Sequence, residues 1–172
     1  AEIDTAGGDI RQLGLLKHPS SEDKSKPYEL LLDKTARFHV AQSGLIGDGL
    51  PSHKTKYSAK SNNYQLEPDQ EKLVIKLTAT TENNIQVTKI FTFHRNSYVI
   101  DVAFEIDNQS DETIIPFSYF QMLRDANEPT GSNTMIHSYT GPAMYTEAEK
   151  FIKIKFTDLD KNKAEFPANA DN

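Results

Sequence analysis

The side chains able to do chemistry in this 172-residue chain are five histidines and a surplus of carboxylates. His18, His39, His53, His94 and His137 are scattered, and no two fall at i, i+2 or i, i+4. Those are the spacings that bring metal ligands together on one strand or one helix. His39 shares strand parity with Arg37, and His94 closes a strand on its polar face, so both read as surface residues. His53 lies in a polar loop and needs no function. Asp158-x-Asp160-x-Asn162 imitates the first three ligands of a calcium loop. Lys163 then stands where glycine is required and Asn169 where glutamate is required, so the match is rejected. Gly7-Gly8 reads as a turn pair, and Asn108-Gln109-Ser110 as a chance glycosylation sequon. The sequence holds no Walker A or Rossmann glycine pattern, no Gly-x-Ser-x-Gly elbow and no His-Glu-x-x-His. A Glu/His acid–base pair on a sheet face is the remaining route to catalysis. Asp101, Glu105 and Asp107, however, fall on the face that alternation exposes to water. No catalytic, cofactor-binding or metal residue is assigned, no cofactor is expected, and the binding residues are undefined.

Composition narrows the class further. Nineteen Lys and Arg stand against 25 Asp and Glu, a net charge of −6. That opposes nucleic-acid binding, which needs a basic stripe, and electrostatic attachment to anionic lipid. The absence of Cys excludes thiol catalysis, disulfides, iron–sulfur clusters and Cys-based zinc sites. No apolar run approaches the ~18 residues a bilayer-spanning helix requires. The chain is expected to be a whole soluble protein or the soluble part of a larger one.

The elements that must position these residues have period two almost throughout. Tyr98, Ile100, Val102, Phe104 and Ile106 alternate with Val99, Asp101, Ala103, Glu105 and Asp107, which predicts a strand with one core face. Ile85, Val87, Phe91 and Phe93 share a face, with Thr88, Thr92 and His94 opposite. The short polar link His94-Arg95-Asn96-Ser97 makes the two runs a hairpin. Leu73 to Thr81 is rich in β-branched residues and joins them through Glu82-Asn83-Asn84, where Asn tolerates the left-handed backbone of a tight turn. The result is a meander from Leu73 to Asn108, with Phe91, Phe93, Ile100, Val102, Phe104 and Ile106 in the core. A fourth strand over Thr113 to Leu123 must be bulged or at an edge at Pro116, or start after it. Glu2 to Thr5 and Ile10 to Lys17 flank a turn at Ala6-Gly7-Gly8-Asp9. Tyr28 to Leu32 and Arg37 to Ala41 are short strands. Pro19 to Pro27 and Gly44 to Asn63 read as loops, and as the rim on which binding residues would sit. Thr146-Glu147-Ala148-Glu149 matches a capping box, the one helix-start signal, with a turn as the equal alternative. The pattern predicts one all-β domain over residues 1–172, an antiparallel β-sandwich with little helix.

Three stretches carry a resemblance: Ala-Glu-Ile-Asp-Thr-Ala-Gly-Gly-Asp-Ile at Ala1 to Ile10, Ala-Gln-Ser-Gly-Leu at Ala41 to Leu45, and Thr88-Lys89-Ile90-Phe91-Thr92-Phe93-His94-Arg95 running into Tyr98-Val99-Ile100-Asp101-Val102. Tyr139-Thr140-Gly141-Pro142-Ala143 and Glu149-Lys150-Phe151 follow in the same order. Together they resemble the large periplasmic domain of the YidC/Oxa/Alb family of membrane protein insertases, over nearly the whole chain. The resemblance implies a twisted β-supersandwich similar to galactose mutarotases, lying between the first two transmembrane helices on the periplasmic side of the bacterial inner membrane. It implies a non-catalytic scaffold or docking surface for Sec translocon accessory subunits of the SecD/SecF type and for extended polypeptide segments. A monomer is expected, with no nucleic-acid partner and no direct lipid binding. The family's insertion groove belongs to transmembrane helices, so no functional residue carries over. The family's domain closes with helices leading into the second transmembrane segment. This chain stops at Ala168-Asn169-Ala170-Asp171-Asn172 without them, which implies a truncated domain. The alternative function is a carbohydrate-binding or mutarotase-like protein on the same fold, which would need a His and a Glu converging on a groove with an aromatic platform.

Overall fold

A computed structural model of the chain describes residues 1–127, 139–147, 149–159 and 161. It divides into two compact units, Ala1–Arg124 and Asp125–Asn172.

The first unit holds two antiparallel sheets. One has the order β1-β2-β3-β4-β9, built from β1 (Glu2–Asp4), β2 (Asp9–Pro19), β3 (Pro27–Lys34), β4 (Arg37–Ile46) and β9 (Phe117–Arg124). The other has the order β5-β6-β7-β8, from β5 (Ser58–Ala59), β6 (Lys72–Thr80), β7 (Ile85–His94) and β8 (Ile100–Asn108). Ile10 and Leu31 of the first sheet pack with Leu77, Ala79 and Phe91 of the second and with Tyr57. A second cluster joins Leu45 and Leu50 to Ile85 and Val87. The antiparallel sandwich read from alternation is therefore the architecture, and it follows from apolar residues confined to one face of each strand.

The meander forms as expected. β6 pairs with β7 from Lys72↔His94 to Thr80↔Gln86, and β7 with β8 from Ile85↔Asn108 to Phe93↔Ile100. Asn84 and Asn96 carry the positive φ of the two turns, 60° and 57°. The register on β8 is as predicted: Ile100, Val102, Phe104 and Ile106 turn inward, while Asp101, Glu105 and Asp107 are exposed. These inward residues are half-buried, because β8 is an edge strand and the opposite sheet covers it only in part. The strand begins at Ile100. Tyr98 and Val99 lie before it and are exposed.

β9 starts directly after Pro116, where the missing N–H interrupts no ladder. It leaves the meander and pairs with β4 along eight residues, from Ile46↔Phe117 to His39↔Arg124. The segment Gly44 to Asn63 differs most from expectation. β4 runs through to Ile46, Leu50 and Tyr57 are buried, and Ser58–Ala59 adds a short strand. Its turn-forming composition masked three core residues, Leu45, Leu50 and Tyr57. Gly44 sits in β4 because a Cβ there would lie 2.6 Å from the Tyr119 hydroxyl and 2.8 Å from the Ser52 Cα. The other expected loop does stand outside the sheets, as residues 20–26 between β2 and β3.

The second unit contains the hairpin β10 (Ala143–Thr146) with β11 (Lys150–Lys153), and the four-residue helix α1 (Phe156–Leu159). The Thr146 hydroxyl accepts the Glu149 N–H at 3.0 Å, the bond of a capping box. Lys150, at φ 59°, then returns the chain as a strand, so the signal marks a hairpin turn. The Tyr139 hydroxyl donates to the Pro142 carbonyl at 2.8 Å and to that of Ile154. Ala148, His137, Asp160, Asn162, Lys163 and 168–172 lie outside the described residues.

Candidate functional site

Strict alternation on β7 places Lys89 on the inward face, between Val87 and Phe91. Naming only the apolar members of that face passed over it. The structure buries Lys89 completely, at 0% exposure. Its Nζ donates to the Gly7 carbonyl at 3.0 Å and to the Ser43 carbonyl at 2.9 Å. Lys89 belongs to the second sheet, Ser43 to β4 of the first, and Gly7 to the β1–β2 turn, so one ammonium joins both sheets. The rings of Phe91, Phe104 and Tyr57 stand with centroids 5.5, 5.8 and 5.9 Å from Nζ, and their faces favour a cation.

The Gly7–Gly8 turn does more than reverse the chain. Both residues have positive φ, 83° and 61°. A Cβ on Gly8 would lie 3.0 Å from the Lys89 Cδ, and one on Gly7 would lie 2.2 Å from the His53 carbonyl oxygen. Only a glycine pair lets this backbone approach the lysine and the chain at His53 together. The Gly7 N–H is held in turn by the Thr55 carbonyl at 2.8 Å.

Asp9 follows the turn and is also fully buried. Its Oδ2 accepts from Gln42 at 2.7 Å and from Arg11 at 3.2 Å. Gln42 accepts from Gln121 of β9 at 2.8 Å, and Arg11 reaches on to Asp33 at 2.9 Å. Asp9 Oδ1 and the Tyr57 hydroxyl are buried without a hydrogen-bond partner. Burial pushes the Lys89 ammonium down to about 8, with the negative charge of Asp9 opposing the shift. Burial pushes the Tyr57 hydroxyl up to about 12, helped by the charges of Tyr119 and Asp9.

An amine with a lowered pKa is in principle a nucleophile toward carbonyls. A reacting carbonyl would have to touch Nζ, which is enclosed on every side. The cluster is therefore a charge clamp between two sheets.

The histidines do not gather around it. His94 Nε2 pairs with Asp101 at 2.6 Å on the exposed face, and His18 Nε2 hydrogen-bonds the Tyr98 hydroxyl at 2.9 Å. His39 lies on β4 opposite Leu32 and Arg124. His53 is more than a loop residue: it is half-buried, its N–H donates to the Tyr119 hydroxyl at 2.9 Å, and its Nδ1 bonds the same oxygen. Among the described residues, no group of three His, Cys, Asp or Glu side chains could hold a metal ion. Asn108 is tied into its own turn, accepting from the Ser110 N–H at 3.1 Å and donating to the Glu112 carbonyl at 2.8 Å.

Two clefts open on the first unit. One, of about 230 Å³, is lined by Ile10, Ala41, Phe91, Val102, Phe120 and Met122, among others. The second, of about 340 Å³, lies where β2 passes the β7–β8 turn, with Leu13, Leu16, Phe93, Tyr98 and Val99 in its walls. Leu16 is 88% exposed at its rim. Among the described residues, no helix is long and apolar enough to cross a membrane.

Comparison with known proteins places this β-sandwich in a family. The family described as YidC periplasmic domain matches residues 1–172. The chain is 58% identical over its whole length to a protein of Nitrosospira multiformis named "Membrane protein insertase YidC". Proteins of the same name from Nitrosomonas europaea and Laribacter hongkongensis are 56% and 47% identical, again over the whole chain. The chain spans 30%, 28% and 32% of the length of these three relatives. Matched along its full length and at such identity, the chain belongs to the YidC periplasmic domain family.

Proposed function

We propose that this domain is a non-catalytic scaffold on the periplasmic side of a membrane protein insertase, offering a docking surface in inner-membrane protein insertion. The observation that carries the reading is the identity, across the whole chain, with proteins named as insertases. The chemistry is consistent with it: among the described residues the one strongly perturbed amine, Lys89, is sealed in the core, and the walls of the open clefts are mostly apolar. Docking is assigned to the rim formed by residues 20–26 and the cleft walls at Leu16, Tyr98 and Val99. Mixed charge and exposed apolar side chains meet there on a rigid sheet. The partners proposed are Sec translocon accessory subunits of the SecD/SecF type and extended polypeptide segments.

Site-specific photo-crosslinking in the full-length protein tests this. Probes at Leu16 and Lys24 are expected to capture Sec accessory subunits, and probes at the opposite end, such as Glu82, are not. Capture only from positions away from this rim would overturn the assignment. Accelerated anomer interconversion of a sugar by the domain would overturn the non-catalytic reading.

A further inference from the structure

The hydrogen bonds around Lys89 do not close within the protein. An ammonium group has three protons to donate. The Gly7 and Ser43 carbonyls take two of them, and among the described residues no further carbonyl or carboxylate bonds Nζ. Asp9 uses Oδ2 for Gln42 and Arg11, whereas its Oδ1 accepts from no protein group. The Tyr57 hydroxyl is buried and also has no protein partner. Arg11 Nε, the remaining buried atom of this kind, lies at the outer end of the cluster, 3.9 Å from Asp4 Oδ2. A buried polar group left in this condition costs free energy, and native cores hold few of them.

The three groups gather at the Gly7–Gly8 turn. A Cβ on Gly7 would lie 2.9 Å from Asp9 Oδ1, and one on Gly8 would lie 3.3 Å from Lys89 Nζ. Tyr57 is tied to the same chain segment, its N–H donating to the Thr5 carbonyl at 2.8 Å, and its ring lies beside Nζ. Two successive glycines keep side-chain atoms out of this region. Asp9 takes its ion pair from Arg11 at 3.2 Å and not from Lys89, so carboxylate and ammonium share a core without touching. What suits all three groups is narrowly defined. It must accept from an ammonium and donate to a carboxylate. It must be neutral, because a cation would face Lys89 and an anion would face Asp9. It must be as small as a solvent molecule, because Lys89 and Asp9 are 0% exposed and Tyr57 is 3% exposed.

We propose that the junction of the two sheets binds a single internal water molecule between Lys89, Asp9 and Tyr57. The water accepts from the Lys89 ammonium and from the Tyr57 hydroxyl, and it donates to Asp9 Oδ1. Three polar partners are what a buried water usually has. The water joins two networks that direct bonds leave separate. Lys89, with Gly7 and Ser43, is linked through it to Asp9, and from there through Gln42 to Gln121 of β9. The clamp then spans β7, the β1–β2 turn, β4 and β9 as one hydrogen-bonded chain.

Two measurements on the 172-residue chain test this, since the site lies wholly inside the first unit and its core. Water-to-protein NMR cross-relaxation on the unsubstituted chain reads whether a long-lived water sits beside the amides of Gly8 and Asp9 and the Tyr57 ring. Urea unfolding of Tyr57→Phe reads what the hydroxyl is bonded to. A hydroxyl without a partner is a burden on the core, so its removal would stabilise the fold or leave it unchanged. A hydroxyl that donates to a held water stabilises, and its removal is expected to raise the unfolding equilibrium constant about fivefold. The expected result is cross-relaxation of the sign given by a water resident for longer than nanoseconds, together with that rise. Cross-relaxation from fast-exchanging solvent, or none, overturns the proposal. So does a Tyr57→Phe variant that unfolds no more readily than the unsubstituted chain.

Discussion

At the scale of single residues, Lys89 and Tyr57 each contribute to how stability responds to pH. The folded pKa of Lys89, about 8, lies below the unfolded 10.5, so between these values the unfolded chain binds more protons. Stability contributed by this group must then rise with pH from about 8 to 10.5, and below pH 8 burying the charge costs up to about 3 kcal/mol. Tyr57 acts in the opposite direction. Its folded pKa, raised to about 12 from 10.0, makes stability fall as pH climbs between them. Urea titrations at pH 7, 9 and 10 are expected to show the Lys89 rise in the wild type and its loss in Lys89→Met. At pH 7 the Met variant removes a buried charge but leaves the Gly7 and Ser43 carbonyls without a donor, so the change should stay within about 2 kcal/mol. An unchanged pH slope in that variant would refute the clamp as the titrating group. A second prediction concerns Gly7→Ala. The residue has φ 83° and would place its Cβ 2.2 Å from the His53 carbonyl oxygen. A loss above about 2 kcal/mol is expected in chemical denaturation, more than a freely accessible turn glycine would show.

At the scale of elements, the edge position of β8 sets what its core residues contribute. Phe91 is 1% exposed on the inner strand β7, whereas Phe104 is half-buried on the edge. Phe91→Ala should cost about 3–5 kcal/mol, and Phe104→Ala about 2–3 kcal/mol because part of its area already meets water. Equal losses in thermal or urea unfolding would mean that β8 is covered as fully as β7. The fourth strand shows how little of pairing is written locally. Pro116 sets where β9 begins, but its partner, β4, lies more than 70 residues back in the chain. Nothing in the local pattern of Phe117 to Arg124 distinguishes continuation of the meander from a crossing to the other sheet. Thr146 makes a related point. Its hydroxyl–amide bond to Glu149 is common to helix starts and tight turns, and the left-handed Lys150 decides between them.

At the scale of the molecule, a net charge of −6 predicts that the domain leaves anionic vesicles and nucleic acid unbound at physiological salt. Co-sedimentation with anionic vesicles that added salt abolishes would contradict this. The sequence by itself determined the antiparallel β architecture, the meander with its Asn turns, and the inward parity of β7 and β8. Those features depend on period-two alternation and on backbone preferences of single residues, which act within a few positions. It also carried the family, through residues spread over the whole chain. Only the tertiary structure decided that β9 joins β4, that the Gly44 to Asn63 segment supplies Leu50 and Tyr57 to the core, and that a lysine lies at the sheet junction. Each of these rests on contacts between residues far apart in sequence. The alternation did place Lys89 inward. What makes that position tenable is a pair of carbonyls, from Gly7 and Ser43, that lie 82 and 46 residues away along the chain and meet the ammonium only when the two sheets close.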